Sequence, residues 1–119
     1  MIVYIASPYS LGDPEENVRI QIDAAHRLMD LGHTPIAPLL SHFLHLHRPR
    51  PYEDWLRSDL EIIPRCDMIL RLPGESPGAD RETDLAMTLN IPIIYSWSEL
   101  SWKTQSTFIP ESCPTPTRW

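Results

Sequence analysis

The sequence predicts a single α/β domain built around a parallel sheet, and three observations carry that prediction. Short apolar stretches rich in β-branched residues alternate along the chain with longer segments of helical periodicity. This alternation is typical of parallel strands joined by right-handed helical crossovers. The 119 residues suffice for one domain with a modest core, and the 42% hydrophobic content is ordinary for a globular protein.

The first strand and the first helix have clear boundaries. Ile2 to Ala6, IVYIA, reads as a buried strand. Asp13, Pro14 and Glu16 then predict a helix start, because Asp caps well and Pro suits the first helical position. We expect the helix to end near Gly32. Its core-facing residues by helical spacing are Val18, Ile22, Ala25 and Met29.

The middle of the chain predicts one weak strand, one irregular stretch and one helix. The strand covers Thr34 to Pro38, and the irregular stretch covers Ser41 to Pro51, which is rich in His, Arg and Pro. Tyr52 to Ile63 is predicted to be a helix. Its apolar stripe contains Trp55, Leu56, Leu60 and Ile63.

Two further strands enclose the last predicted helix. The third strand covers Asp67 to Leu72, a loop covers Pro73 to Pro77, and the helix runs on to about Asn90. Ile91 to Tyr95 is the fourth strand, and an additional edge strand is expected near Phe108. We therefore predict one domain over residues 1–109 and a C-terminal tail over 110–119.

Charge and composition narrow the classes of partner and compartment. The formal net charge of −6 argues against a nucleic-acid polymer, which usually requires a basic patch. Cys66 and Cys113 lie far apart, so we interpret them as free thiols of a reducing compartment or as one disulfide. The N-terminal MIVYIASPYS has neither a basic leader region nor a long apolar run, so we expect a cytoplasmic protein without membrane association.

Two carboxylates fall on faces predicted to be apolar. Glu82 shares one face of its helix with Ala79, Ala86 and Leu89, and Asp59 lies within the stripe of the preceding helix. An unpaired buried charge is costly, so each acid needs a partner or a polar cavity. Ligands of open parallel sheets bind at the carboxyl ends of the strands, which both helices approach. The two acids are thus candidates for a catalytic pair.

Each acid also has a simpler structural interpretation. Glu82 lies in the first turns of its helix, where a carboxylate complements the helix dipole by roughly 0.3–1 kcal/mol. Asp59 could be solvated or could pair with Arg57 or Arg65. The residues alone leave the catalytic and structural interpretations about equal for the two acids together.

The start of the last helix predicts an anion site. Ser76 and Gly78 flank Pro77, and a helix N-terminus with a hydroxyl and an approachable backbone suits a phosphate. The alternative is a plain Ser cap with Pro at the first helical position. The sequence contains neither a P-loop lysine nor a G-x-G-x-x-G segment.

A cluster of three histidines precedes this region, and we do not interpret it as a metal site. His42, His45 and His47 lack the H-E-x-x-H spacing and have no Cys cluster beside them. We expect these histidines to contact substrate or to lie at a subunit surface, with His42 as the candidate substrate-binding residue. No cofactor is expected.

Four segments resemble one known family. They are VYIASPYS at Val3 to Ser10, WLRSDL at Trp55 to Leu60, CDMILRLPG at Cys66 to Gly74 and SPGADRETDLA at Ser76 to Ala86. The chain from Ile2 to Tyr95 resembles the nucleoside 2-deoxyribosyltransferase-like superfamily, which includes nucleoside 5'-monophosphate N-glycosidases. The resemblance implies a flavodoxin- or Rossmann-like three-layer sandwich with four to five parallel strands. It also implies a homodimer or a higher homo-oligomer with a shared active site.

The resemblance assigns roles to individual residues. Glu82 matches the nucleophile that forms a glycosyl-enzyme ester, Tyr4 matches a tyrosine that orients it, and Asp59 matches an aspartate that assists departure of the base. Ser76 and Gly78 match the phosphate seat of the monophosphate hydrolases, whereas the transferases carry an aspartate at the position of Ser76.

The first loop departs from the well-known hydrolases. Ser7-Pro8-Tyr9 lacks the glycines and the arginine that bind phosphate there. We expect Ser7 to contact substrate, and Tyr9 to stack on a base or to exclude a 2'-hydroxyl. The favoured hypothesis is a hydrolase that cleaves the N-glycosidic bond of a nucleoside 5'-monophosphate or deoxynucleoside 5'-monophosphate. The alternatives are a nucleoside 2-deoxyribosyltransferase and a non-catalytic nucleotide-binding module.

Overall fold

The architecture is the predicted α/β fold, with a parallel sheet of four strands. The structure is a computed structural model that describes residues 1–103, with side chains described as far as residue 100. The strands are β1 (Ile2–Ala6), β2 (Thr34–Ile36), β3 (Met68–Arg71) and β4 (Ile93–Ile94), in the order β2-β1-β3-β4. The helices are α1 (Pro14–Asp30), α2 (Ser41–His47), α3 (Tyr52–Ile62), α4 (Pro77–Thr88) and α5 (Trp97–Lys103).

The strand order reverses direction at β1, which places a binding edge between β1 and β3. The chain leaves β1 towards β2 on one side and returns to β3 on the other. All three described strand pairs are parallel, and Ala6 lies opposite Arg71 at the carboxyl ends of β1 and β3. In open parallel sheets this reversal is where ligands bind.

Both faces of the sheet are covered by helices, so the domain has three layers. Along β1 the side chains alternate: Val3 and Ile5 pack towards α1 and α5, while Tyr4 and Ala6 pack towards α3 and α4. The first cluster also contains Leu28 of α1. Tyr4 is therefore directed to the face from which Glu82 approaches.

The buried face of α1 is shifted by about one residue from the predicted stripe. Ile22 and Ala25 are only half-buried and Met29 is 60% exposed. The polar side chain of Gln21 is buried instead, because three backbone and hydroxyl groups at the carboxyl edge need its amide. It donates to Ile5 O at 3.2 Å and to Ser7 Oγ at 2.8 Å, and it accepts from Leu39 N at 2.8 Å. The residues that α1 buries are Val18, Gln21, Ala24 and Leu28.

Two other sequence-based predictions were wrong. The stretch from Ser41 to Pro51, predicted to be irregular, begins with α2, which follows a 3₁₀ turn over Pro38–Leu40. Its apolar residues project to the exterior, so no amphipathic pattern indicated a helix. Leu89, predicted to share the inward face of α4, is the C-cap of that helix and is 43% exposed, whereas Thr83 is buried.

Several predictions lie outside the described residues. These are the edge strand near Phe108, the domain boundary at residue 109, the tail over 110–119 and the state of Cys113. Cys66 is buried and is a free thiol. Within residues 1–103, no helix is both long enough and apolar enough to cross a membrane.

Candidate active site

A cavity of about 470 Å³ opens at the carboxyl edge of β1 and β3. Its walls come from the loop after β1, from α2 and α3, and from the first turns of α4. Of the eight site residues predicted from the sequence, seven line this cavity, and Tyr4 lies directly behind it in contact with Glu82. The seven are Ser7, Tyr9, His42, Asp59, Ser76, Gly78 and Glu82.

Glu82 is a buried carboxyl group held by a buried tyrosine. It is 6% exposed, and the Tyr4 hydroxyl donates a hydrogen bond to its Oε2. The pKa of Glu82 is raised to about 8, chiefly by burial and also by the charge of Asp59, while the Tyr4 hydrogen bond and the Arg71 cation oppose the rise. Burial and the neighbouring acids also raise the pKa of Tyr4 far above its usual range, so Tyr4 keeps its proton and serves as a donor.

Asp59 faces the same cavity, and within residues 1–100 no cationic side chain forms a salt bridge with it. Burial raises the pKa of Asp59 to about 7. The salt bridges considered from the sequence do not form: Arg57 lies 3.9 Å from Asp54, and Arg65 donates to the carbonyl of Glu61 at 2.6 Å. Two acids with raised pKa values in one cavity are typical of an acid–base pair.

The first turn of α4 presents donor groups to the cavity. Ser76 is the N-cap, and its Oγ accepts from Ala79 N at 3.1 Å, so the hydroxyl proton stays available for a further partner. Asp80 N donates to Ser76 O at 2.9 Å. The amide of Gly78 lies in the first turn of α4, where backbone N–H groups have no intrahelical acceptor. The capping and anion-binding interpretations of Ser76 are therefore compatible.

Aromatic rings and histidines from the first loop, α2 and α3 also line the cavity. The Tyr9 hydroxyl lies 2.6 Å from His42 Nδ1, and Trp55 Nε1 donates to His45 Nδ1 at 3.0 Å. Each pair packs edge to face. The side-chain amide of Asn17 donates to Tyr9 O at 2.8 Å, which fixes the first loop. Among residues 1–103 no cluster of three His, Cys, Asp or Glu side chains is arranged to hold a metal ion.

Sequence reasoning missed several residues that line the cavity. Arg81 lies three residues after Gly78, a spacing that places both on one helix face and could have revealed it. Tyr52 packs against the start of α4. A Cβ atom added to Gly78 would lie only 2.8 Å from the hydroxyl oxygen of Tyr52. Arg50 lies at the cavity and 3.7 Å from Asp54. The missed lining residues with polar side chains are Ser41, Arg50, Tyr52, Trp55 and Arg81.

Comparison with known proteins gives one family match and similar solved structures. A family model described as "Domain of unknown function (DUF7768)" matches residues 1–96. No curated protein sequence matches the chain.

Two enzymes share the fold. A 2-deoxyribosyltransferase from Bacillus psychrosaccharolyticus is 23% identical with a TM-score of 0.58, over 78% of this chain and 69% of that one. The CMP N-glycosidase BcmB from Clostridium botulinum is 19% identical with a TM-score of 0.54, over 87% of this chain and 81% of that one. At these identities the likeness establishes a common Rossmann-like fold.

Proposed function

We propose that this chain, which belongs to the DUF7768 family, hydrolyses the N-glycosidic bond of a nucleoside 5'-monophosphate or deoxynucleoside 5'-monophosphate. The observation that carries this proposal is the buried Glu82 carboxyl, held by the Tyr4 hydroxyl at a cavity that also contains Asp59. The shared fold with a CMP N-glycosidase and a 2-deoxyribosyltransferase supports it.

The proposed reaction has two steps. In the first, a carboxylate oxygen of Glu82 attacks the anomeric carbon, the C–N bond breaks with its electron pair leaving on the base, and Asp59 protonates the departing base. In the second, Asp59 accepts a proton from water as the water oxygen attacks the anomeric carbon. The ester bond to Glu82 breaks, and the sugar phosphate leaves with the anomeric configuration of the substrate.

The protonation states place a limit on pH. The first step needs Glu82 ionised and Asp59 protonated, and the pKa values of the pair are about 8 and about 7. Only a minority of molecules carry this combination at any pH, and their fraction is largest between the two values. We therefore expect a narrow bell-shaped profile of kcat/KM against pH.

The hydrogen-bond donors and cations at the cavity favour a monophosphate over a free nucleoside as substrate. Ser76 offers its hydroxyl proton and Gly78 its amide at the N-terminus of α4. Arg81 and Arg50 add cations to the same cavity. An ionised phosphate can accept from several such donors, whereas the 5'-hydroxyl of a nucleoside gains much less from them.

The direct test is release of base from a substrate panel. Purified protein is incubated with ribo- and deoxyribonucleoside monophosphates and with the matching nucleosides, and free base is separated by chromatography. Glu82→Gln should abolish release, and Glu61→Gln, which alters an exposed acid on α3, should not. Equal turnover by the Glu82→Gln variant would refute the covalent mechanism.

The fold shared with a 2-deoxyribosyltransferase favours a second candidate. A transferase keeps the glycosyl ester until another base binds, so adding an acceptor base should give a new nucleoside. If neither base release nor exchange is observed while nucleotides raise the melting temperature, the chain is a nucleotide-binding module.

We further propose that the protein forms a homodimer or a higher homo-oligomer in which neighbouring subunits share the cavity. The exposed face of α2 supports this: Phe43, Leu44 and Leu46 are 54%, 62% and 65% exposed. The same short helix carries His42, which lines the cavity. Light scattering of the purified protein should give at least twice the monomer mass, and Leu44→Glu should reduce it.

A further inference from the structure

A buried arginine ends the central strand β3. Arg71 is 9% exposed and lies opposite Ala6, at the edge where the cavity opens. Arginine is rarely buried unless its guanidinium is fully paired. Its partners therefore indicate what the side chain does.

The guanidinium binds three acceptors that lead from β3 into α4. Nη1 donates to Leu72 O, while Nη2 donates to Gly74 O at 2.8 Å and lies 3.3 Å from Asp80 Oδ1. Asp80 lies in the first turn of α4, two residues before Glu82. One planar group thus connects the strand end, the loop and the helix turn. Lysine cannot reproduce this arrangement, because its single ammonium lacks the planar fork.

The loop held by Arg71 also packs against the loop after β1. Gly74 has φ of +120°, and a Cβ atom there would lie 2.7 Å from Pro8 Cγ. Pro8 lies between Ser7 and Tyr9, both of which line the cavity. Arg71 therefore supports both loops that meet at the carboxyl edge.

We propose that Arg71, although it does not line the cavity, is a positioning residue that holds Glu82 and Ser76 in place for the glycosidic reaction. The role as a positioning residue for catalysis rests on the proposed function. The electrostatic part of the proposal, an effect of the Arg71 cation on the ionisation of Glu82, does not depend on that function.

The electrostatic part concerns the charges that face Glu82. Tyr4 donates to it from β1, Asp59 faces it from α3, and Arg71 acts from β3. The Arg71 cation lowers the pKa of Glu82, against the larger effect of burial. Removing the cation should thus make Glu82 ionise at higher pH. A purely mechanical support would leave this titration unchanged.

The test compares Arg71→Lys, Arg71→Met and Arg71→Gln with an Arg19→Met control, which removes a 69% exposed arginine on α1. Glutamate carbons are labelled with ¹³C, and the Glu82 carboxyl signal, assigned by its absence in Glu82→Gln, is followed against pH. Melting temperature, kcat and KM are measured for each folded variant. Two neutral variants are included so that one of them, Arg71→Gln, still gives a result if Arg71→Met does not fold.

We expect the Glu82 signal to titrate at higher pH in the neutral variants and near the wild-type pH in Arg71→Lys. We also expect Arg71→Lys to lose at least tenfold in kcat with a smaller change in KM, because the charge remains but the fork is lost. An unchanged Glu82 titration in a folded neutral variant overturns the proposal, as does wild-type kcat in Arg71→Lys. The titration requires no turnover, so a protein that proves inactive still gives a result on Arg71 and separates this inference from the proposed function.

Discussion

Replacing Glu82 by glutamine should stabilise the protein, and the stabilisation should grow with pH. The folded state raises the pKa of Glu82 from an ordinary 4.5 to about 8. Below pH 4.5 both folded and unfolded states hold the proton, so no penalty arises. Between pH 4.5 and 8 the unfolded state releases the proton and the folded state retains it. The contribution of Glu82 to the free energy of unfolding therefore falls by about 1.4 kcal/mol per pH unit in this range.

Glutamine does not titrate, and its amide oxygen can still accept the Tyr4 hydrogen bond. The difference in free energy of unfolding between Glu82→Gln and wild type should thus increase by about 3 kcal/mol from pH 5 to pH 7. For a domain of this size, the difference in melting temperature between Glu82→Gln and wild type should therefore grow by roughly 10 °C from pH 5 to pH 7. Above pH 8 the difference should become constant.

The assay is urea unfolding followed by circular dichroism at half-unit pH steps from 5 to 9. The exposed Glu61→Gln variant serves as the control, and its difference from wild type should vary little with pH. A gap that stays constant between pH 5 and 8 would refute the reasoning, because it would mean that Glu82 titrates alike in the folded and unfolded protein.

Three other changes test the site through turnover. Tyr4→Phe removes the hydrogen bond that stabilises the Glu82 carboxylate, and such a bond to a charged acceptor contributes about 1.5–3 kcal/mol. We therefore expect kcat/KM at pH 7 to fall by about 10- to 100-fold. A smaller loss at pH 9 would show that the variant acts on the ionisation of Glu82. Asp59→Asn removes the group that protonates the departing base, so kcat/KM should fall and its alkaline limb against pH should disappear; an alkaline limb that persists would count against Asp59 as the proton donor. Arg81→Gln should raise KM about tenfold for monophosphates and leave KM for free nucleosides unchanged, and an equal rise for both would remove Arg81 from the phosphate site.

The sequence was sufficient for those parts of the fold that depend on local patterns. β1 was predicted residue for residue, because five apolar residues in a row can hardly form anything but a buried strand in this context. The cap at Asp13 was also predicted, and its side chain accepts from Glu15 N at 3.1 Å. The inward position of Glu82 was predicted from helical spacing alone.

Other features depend on contacts between distant residues and could not be predicted. Gln21 is buried because of acceptors and donors in two loops, and polarity suggested the opposite. α2 forms although its apolar residues face outwards, so its periodicity carried no signal. Arg71 appeared as an ordinary strand residue, and only the fold shows that three acceptors converge on it. For Asp59, sequence suggested nearby arginines as partners, but both bind elsewhere.

The buried amide of Gln21 has a consequence for the timing of local opening. It links the backbone of Leu39, next to α2, with the hydroxyl of Ser7 after β1, although these segments are more than thirty residues apart. If either segment opens, the amide loses a partner that burial prevents water from replacing at once. Hydrogen exchange should consequently report the two segments as one cooperative unit, with the Leu39 amide protected far more than its position beside a 3₁₀ turn would suggest.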